Sequence, residues 1–135
     1  TFKLFVYKNL IDETEHLVLV KGKITKNKSV LVRMHSLNII SDLLDLKNKD
    51  LEKSIEIISK NDQGVIVIVR NPDKEMKKKN STLSKSKNKI LKEYGVGAQI
   101  LLDLGVKKII LLTKSSKNIV GIDGFGLEIN GTKKI

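Results

Sequence analysis

Apolar and polar residues alternate through FKLFVYK (Phe2–Lys8), a period of two that predicts a half-buried strand. Asp12–Thr14 interrupts the pattern, HLVLVKGKI (His16–Ile24) resumes it, and Thr25–Ser29 reads as a polar turn. Together these stretches predict an N-terminal antiparallel hairpin. VLVRMHS (Val30–Ser36) follows as a third strand, interior to the sheet. Leu37, Ile39, Ile40, Leu43, Leu44 and Leu46 fit a short helix over 37–46. Leu51, Ile55, Ile57 and Ile58 fit a second, amphipathic helix with Asp50 as its N-cap.

GVIVIVR (Gly64–Arg70) is almost wholly apolar and β-branched, as in a strand covered on both faces. Asn71–Lys89 breaks the pattern. It carries seven lysines and the only proline, Pro72, and is expected to be an exposed loop. ILKEYGVGAQILLDLG (Ile90–Gly105) predicts a helix closed by Gly105, and VKKIILLT (Val106–Thr113) another buried strand. Lys114–Gly126 reads as a short helix with a glycine-rich turn, and Leu127–Ile129 as a last short strand. The order implies an α/β (α+β) fold: a mixed β-sheet flanked by helices, with the hairpin at its start. With 135 residues and no internal repeat, 1–135 is expected to be a single domain.

Composition narrows the chemistry. At 40% apolar and 30% charged residues the chain matches a soluble domain with a core of its own. The absence of cysteine excludes disulfides, thiolate nucleophiles and cysteine-bound zinc or iron–sulfur centres, and fits the cytoplasm. No apolar run approaches the roughly 18–20 residues that span a bilayer, so no membrane contact is expected. The first residue is Thr1 rather than Met, which suggests the C-terminal part of a longer chain. A net charge of +11 points to polyanions. Yet of 26 basic residues only Arg33 and Arg70 are arginine, and nucleic-acid readers favour its planar fork. Asn71–Lys89 also lacks aromatic residues on which bases stack. The charge reads as a lysine-biased solvated surface, and nucleic acid is not the expected partner.

Those two arginines are the most informative candidates. Both lie near the carboxyl ends of predicted buried strands, where open α/β sheets bind ligands. A guanidinium pairs two-pronged with phosphate or carboxylate, so they form either an anion site or ion pairs with Asp42 or Asp73. His35 reads as a packed, hydrogen-bonded residue, and His16 as an exposed one. GVGAQ (Gly95–Gln99) lacks the third glycine of a dinucleotide fingerprint and reads as close helix packing. Gly121–Gly126 reads as a turn series, and Tyr94 as a partly buried anchor. In TKSSK (Thr113–Lys117) a strand gives way to a helix start, so its N–H groups serve either an anion or a cap.

EHLVLVKGKI, VLVRMHS, GVIVIVR, EYGVGAQILLDLGVKKIILLT and GFGLEI stand in the order found in GTP cyclohydrolase II, and the chain resembles that family over almost its whole length. The resemblance implies a riboflavin-biosynthesis domain, homodimeric and cytoplasmic, fused to 3,4-dihydroxy-2-butanone 4-phosphate synthase. It also implies a catalytic zinc on three cysteines, which activates the ring-opening water. Those ligand positions fall on Asn38, Lys49 and Leu51, so zinc is expected to be absent. Leu37 stands where the family has a GTP-contacting Glu, and Ile90 and Lys92 where it has a catalytic Asp and Arg. The stretch after Arg70 is shorter by roughly fifteen residues, a surface remnant. The family's Thr-Asn-Asn-Pro motif reads TKSS. Arg33, Arg70, Thr113 and Lys117 remain as residual nucleotide or phosphate contacts.

The resemblance therefore implies a catalytically inactive domain, structural or regulatory, in a parent chain that carries the synthase activity. One alternative is a regulatory module that still binds GTP or phosphate. Another is a cyclohydrolase with a changed mechanism, which would need His35 or Glu93 to find a partner for activating water.

Overall fold

Gly64–Val69 forms strand β4, buried at every position. The computed structural model describes residues 1–37, 49–70, 83–114 and 125–135, with the side chains of the long helix described from Glu93 onward. Strand β4 pairs antiparallel with β2 (Glu15–Lys21) and parallel with β3 (Val30–Ser36). Strand β1 (Phe2–Lys8) extends the sheet antiparallel beyond β2. Strands β5 (Lys108–Thr113) and β6 (Glu128–Lys134) extend it in parallel beyond β3. The resulting order is β1-β2-β4-β3-β5-β6, a mixed sheet that starts with the expected hairpin.

Two apolar layers follow from the alternation along β4. Val65, Val67 and Val69 face a layer closed by helix α2 (Leu83–Asp103) through Ala98, Ile100 and Leu101. Ile66 and Ile68 face the opposite layer, closed by helix α1 (Asp50–Ser59) through Ile58. Each fully buried Val or Ile side chain contributes roughly 1.5–3 kcal/mol, so β4 is the densest source of stability in the sheet. No helix among the described residues is long and apolar enough to cross a membrane.

Several expectations need correction. Helix α2 begins at Leu83, so the second part of the expected loop over Asn71–Lys89 is helical. Lysine suits helices almost as well as leucine, and its abundance there hid the helix. The expected short helix over 37–46 and most of Lys114–Gly126 lie outside the described residues. Strand β2 stops at Lys21 because Gly22 turns with φ 75° and lies close to the Asp62 carbonyl. Strand β6 runs on to Lys134 through the polar residues Gly131–Lys134. It is an edge strand, where polar side chains are ordinary.

The helix ends also differ. Lys49, not Asp50, takes the cap position of α1, and no side chain caps it. At the far end of α2, Gly105 adopts φ 86° as expected. Its N–H donates to the Leu102 carbonyl and that of Val106 to Leu101, which closes the last turn.

Gly64 sits against the helix above it. A Cβ there would overlap Ile58 Cγ2, a side chain with no exposed surface. Gly64→Ala is predicted to cost about 1–3 kcal/mol through overpacking. A lower urea midpoint at unchanged m-value checks this, and an unshifted midpoint would contradict the close packing of α1 on β4.

Candidate functional site

The carboxyl ends of β4, β3 and β5 lie side by side, about 10 Å from first to last given the usual strand spacing. Arg70 and Thr113 stand at these ends, while Arg33 lies midway along β3, opposite Ile66 of β4. Arg33 and His35 follow Leu31 at two-residue spacing and share the α1 face. Arg70 begins the chain beyond β4, and Thr113 ends β5. Arg33 is partly buried, and its guanidinium donates to the Leu112 carbonyl at 3.2 Å. Lys117 and Asn38 lie outside the described residues, as do Asp42 and Asp73, the expected ion-pair partners. The side chains of Ile90 and Lys92 are also outside them, although both positions belong to α2.

His16 is buried, contrary to expectation, with 4% of its surface exposed. Strand β2 places it on the α2 side, next to the end of β4. Its Nδ1 accepts the Arg70 backbone N–H at 3.0 Å, the first amide beyond β4. The ring thus fixes where the Arg70 side chain leaves the sheet. Burial holds the imidazole below its ordinary pKa, Asp12 pulls the other way, and the Arg70 guanidinium adds to the lowering. His35 is buried as expected, with 5% of its surface exposed.

Across the site, the Ser36 hydroxyl donates to Glu93 Oε1 at 3.1 Å and joins β3 to α2. Nothing in the sequence order links these residues. Tyr94 is partly buried, as expected. Its phenol is pushed up by burial, with the Arg33 guanidinium opposing and Glu93 adding to the rise. Those terms place Arg33, Glu93 and Tyr94 within electrostatic reach of one another.

The corner where the family resemblance puts zinc is made by Lys49, Asp50 and Leu51. Lys49 is exposed and Leu51 packs into the α1 layer. Asp50 is the first residue of α1 rather than its cap, and Lys114 holds its carboxylate at 2.6 Å. Lys114 follows Thr113, so this ion pair clips the end of β5 to the start of α1. The lysine side chain is 61% exposed, which limits the pair to about 1 kcal/mol or less. Among the described residues, no group of three His, Cys, Asp or Glu side chains could hold a metal ion.

His16 gives this site a pH dependence. A base whose folded pKa lies below its ordinary value of 6.5 contributes stability that is present above that pH and lost as pH falls through the folded value. The protein is predicted to lose stability below pH 6.5, and His16→Gln to flatten that loss. Parallel stability–pH curves for the two proteins would contradict the buried, neutral ring.

Comparison with known proteins agrees with this geometry. The family model described as GTP cyclohydrolase II matches residues 1–134. A monofunctional riboflavin biosynthesis protein RIBA 2, chloroplastic, of Arabidopsis thaliana is 34% identical over 96% of this chain and 30% of its own length. The riboflavin biosynthesis protein RibBA of Synechocystis is 34% identical over 95% of the chain and 27% of its own length. That of Aquifex aeolicus is 32% identical over 95% and 37%. The chain thus spans about a third of the length of these relatives. With a family match over residues 1–134 and relatives above 30% identity across nearly the whole chain, the chain belongs to the GTP cyclohydrolase II family.

Proposed function

We propose that this domain has lost the ring-opening chemistry of its family. In this reading it serves riboflavin biosynthesis in the cytoplasm as a structural or regulatory partner of a 3,4-dihydroxy-2-butanone 4-phosphate synthase on the same chain. The supporting observation is the donor set at the corner of α1. Zinc needs thiolate, imidazole or carboxylate ligands. Lys49 presents an ammonium and Leu51 an alkyl chain, while the one carboxylate, Asp50, is held by Lys114. Zinc does not fit these side chains. Glu93 is engaged by Ser36, which weighs against a rebuilt water-activating pair.

Association is the role left to such a domain. Strand β1 is an edge strand, and it exposes Leu4, Phe5 and Val6, with Leu10 and Ile11 exposed in the turn that follows. Exposed apolar edges are usually covered by another chain or domain. This supports a homodimer, or contact with the synthase domain.

A second reading keeps a ligand. Arg33 is partly buried midway along β3, Arg70 is partly buried just beyond the adjacent β4, and Thr113 ends the next strand but one from β4. Guanidinium forks in that setting suit a nucleotide phosphate, with Lys117 as a further contact. Millimolar GTP would then raise the melting temperature.

Metal analysis of the purified protein, paired with a GTP turnover assay, tests the first reading. Substoichiometric zinc and no formate are predicted. Stoichiometric zinc with formate release would refute it, and a flat thermal response to GTP would remove the second reading.

A further inference from the structure

At the opposite, amino-terminal end of the parallel strands, the α1 face of the sheet is only partly covered. Helix α1 has ten residues, a rod of about 15 Å, and packs on β4 and β3. Beyond its last turn lies a cavity of about 490 Å³. Leu31 of β3 and Ile110 of β5 supply its apolar floor. Its walls are the β2–β3 loop, the α1–β4 turn and strand β6.

Lysines from three directions line this cavity: Lys23 and Lys28 on the β2–β3 loop, and Lys133 on β6. None of them forms an ion pair among the described residues. Asp62 is the one acidic side chain in the lining. Three ammonium groups around one concave space repel one another, and an entering anion relieves that repulsion.

The walls are tied down. Lys21 Nζ donates to the carbonyls of Ser59 and Asn61, which fixes the α1–β4 turn against β2. Asn61 Nδ2 donates to the Ile57 carbonyl at 2.7 Å. Gly22 lies close to the Asp62 carbonyl, so the loop and the turn meet backbone to backbone. On the far side, the β5–β6 pairing shifts register between Ile109 and Ile110, so that Ile109 faces Ile129 while Ile110 faces Gly131. The extra residue, Asn130, donates through Nδ2 to Ser29 Oγ at 2.6 Å and links β6 to the β2–β3 loop. Bulges of this kind re-aim side chains beside binding sites. This one sets Lys133 on the same face as Ile110. Thr25 adds a buried hydroxyl with no hydrogen-bond partner among the described residues.

We propose that this cavity binds a small phosphate-bearing molecule, with the phosphate among Lys23, Lys28 and Lys133 and an apolar body on Leu31 and Ile110. Neither Arg33 nor Arg70 lines this cavity, and the proposal does not rest on the function proposed above. A cavity of this size takes a small molecule; a polyanion would instead engage lysines across the whole surface.

The test is a titration of the protein with inorganic phosphate and with phenyl phosphate at constant ionic strength, followed through the methyl resonances of Leu31 and Ile110. Both probes are expected to saturate below about 10 mM, with phenyl phosphate the tighter. Replacing Lys23, Lys28 and Lys133 together by Gln is expected to weaken both probes at least about tenfold. Replacing the exposed Lys3, Lys53 and Lys107 by Gln removes equal charge and should leave binding unchanged. Equal weakening by the two triple variants would overturn the proposal in favour of diffuse polyanion attraction. Unsaturated or absent methyl shifts in the unmodified protein would overturn it whether or not the variants fold.

Discussion

The two-sided burial of β4 is the constraint on which the rest of the structure depends. An apolar strand with neighbours on both edges and helices on both faces has no solvent-tolerant register. A slip of one residue would exchange its valine and isoleucine faces and misfit both helices. β4 therefore fixes β2 on one side and β3 on the other, and through them the two edges of the sheet. It also sets the height of α1, because Gly64 lets Ile58 approach the backbone.

The strand ends are free of that duty. Arg70 and Thr113 stand at the rim, where a side chain can change without opening the core. At the corner of α1, Lys114 takes the Asp50 carboxylate and Leu51 joins the apolar layer, so these side chains serve charge pairing and packing. A fold held by its sheet keeps its shape when its rim chemistry goes. This is the physical basis for reading the domain as a retained scaffold. The Tyr7 hydroxyl, which donates to Asp103 at 2.8 Å, ties the edge strand to α2 in a similar way. Burial and that carboxylate push the phenol up to about 12, so it remains a donor across the ordinary pH range.

Much of the sheet was legible in the sequence. Val30–Ser36 and Gly64–Val69 declare themselves by β-branched residues in short runs, and Gly105 by its place after an apolar helix face. Features set by composition or by distant partners were harder to read. The first turns of α2 are lysine-rich and look like loop, although lysine tolerates a helix well. β6 is polar because it is an edge. His16 sits in an alternating strand that gives no hint that its ring meets the end of β4, 54 residues away along the chain. Asp50 has the look of an N-cap, and only the fold brings Lys114 to it. The Ser36–Glu93 bond and the bulge at Asn130 likewise arise from strand order and register, which no local pattern encodes.

Native-state hydrogen exchange across a series of low urea concentrations tests the central claim most directly. The account predicts that the amides of Val65–Val69 exchange only through global unfolding, with a urea dependence equal to the equilibrium m-value. The amides of Leu51–Lys53 and Lys114 should exchange through smaller, local openings. If the β4 amides opened locally while those around Asp50 and Lys114 reached the global limit, the site rather than the sheet would be holding the domain together, and the account would be wrong.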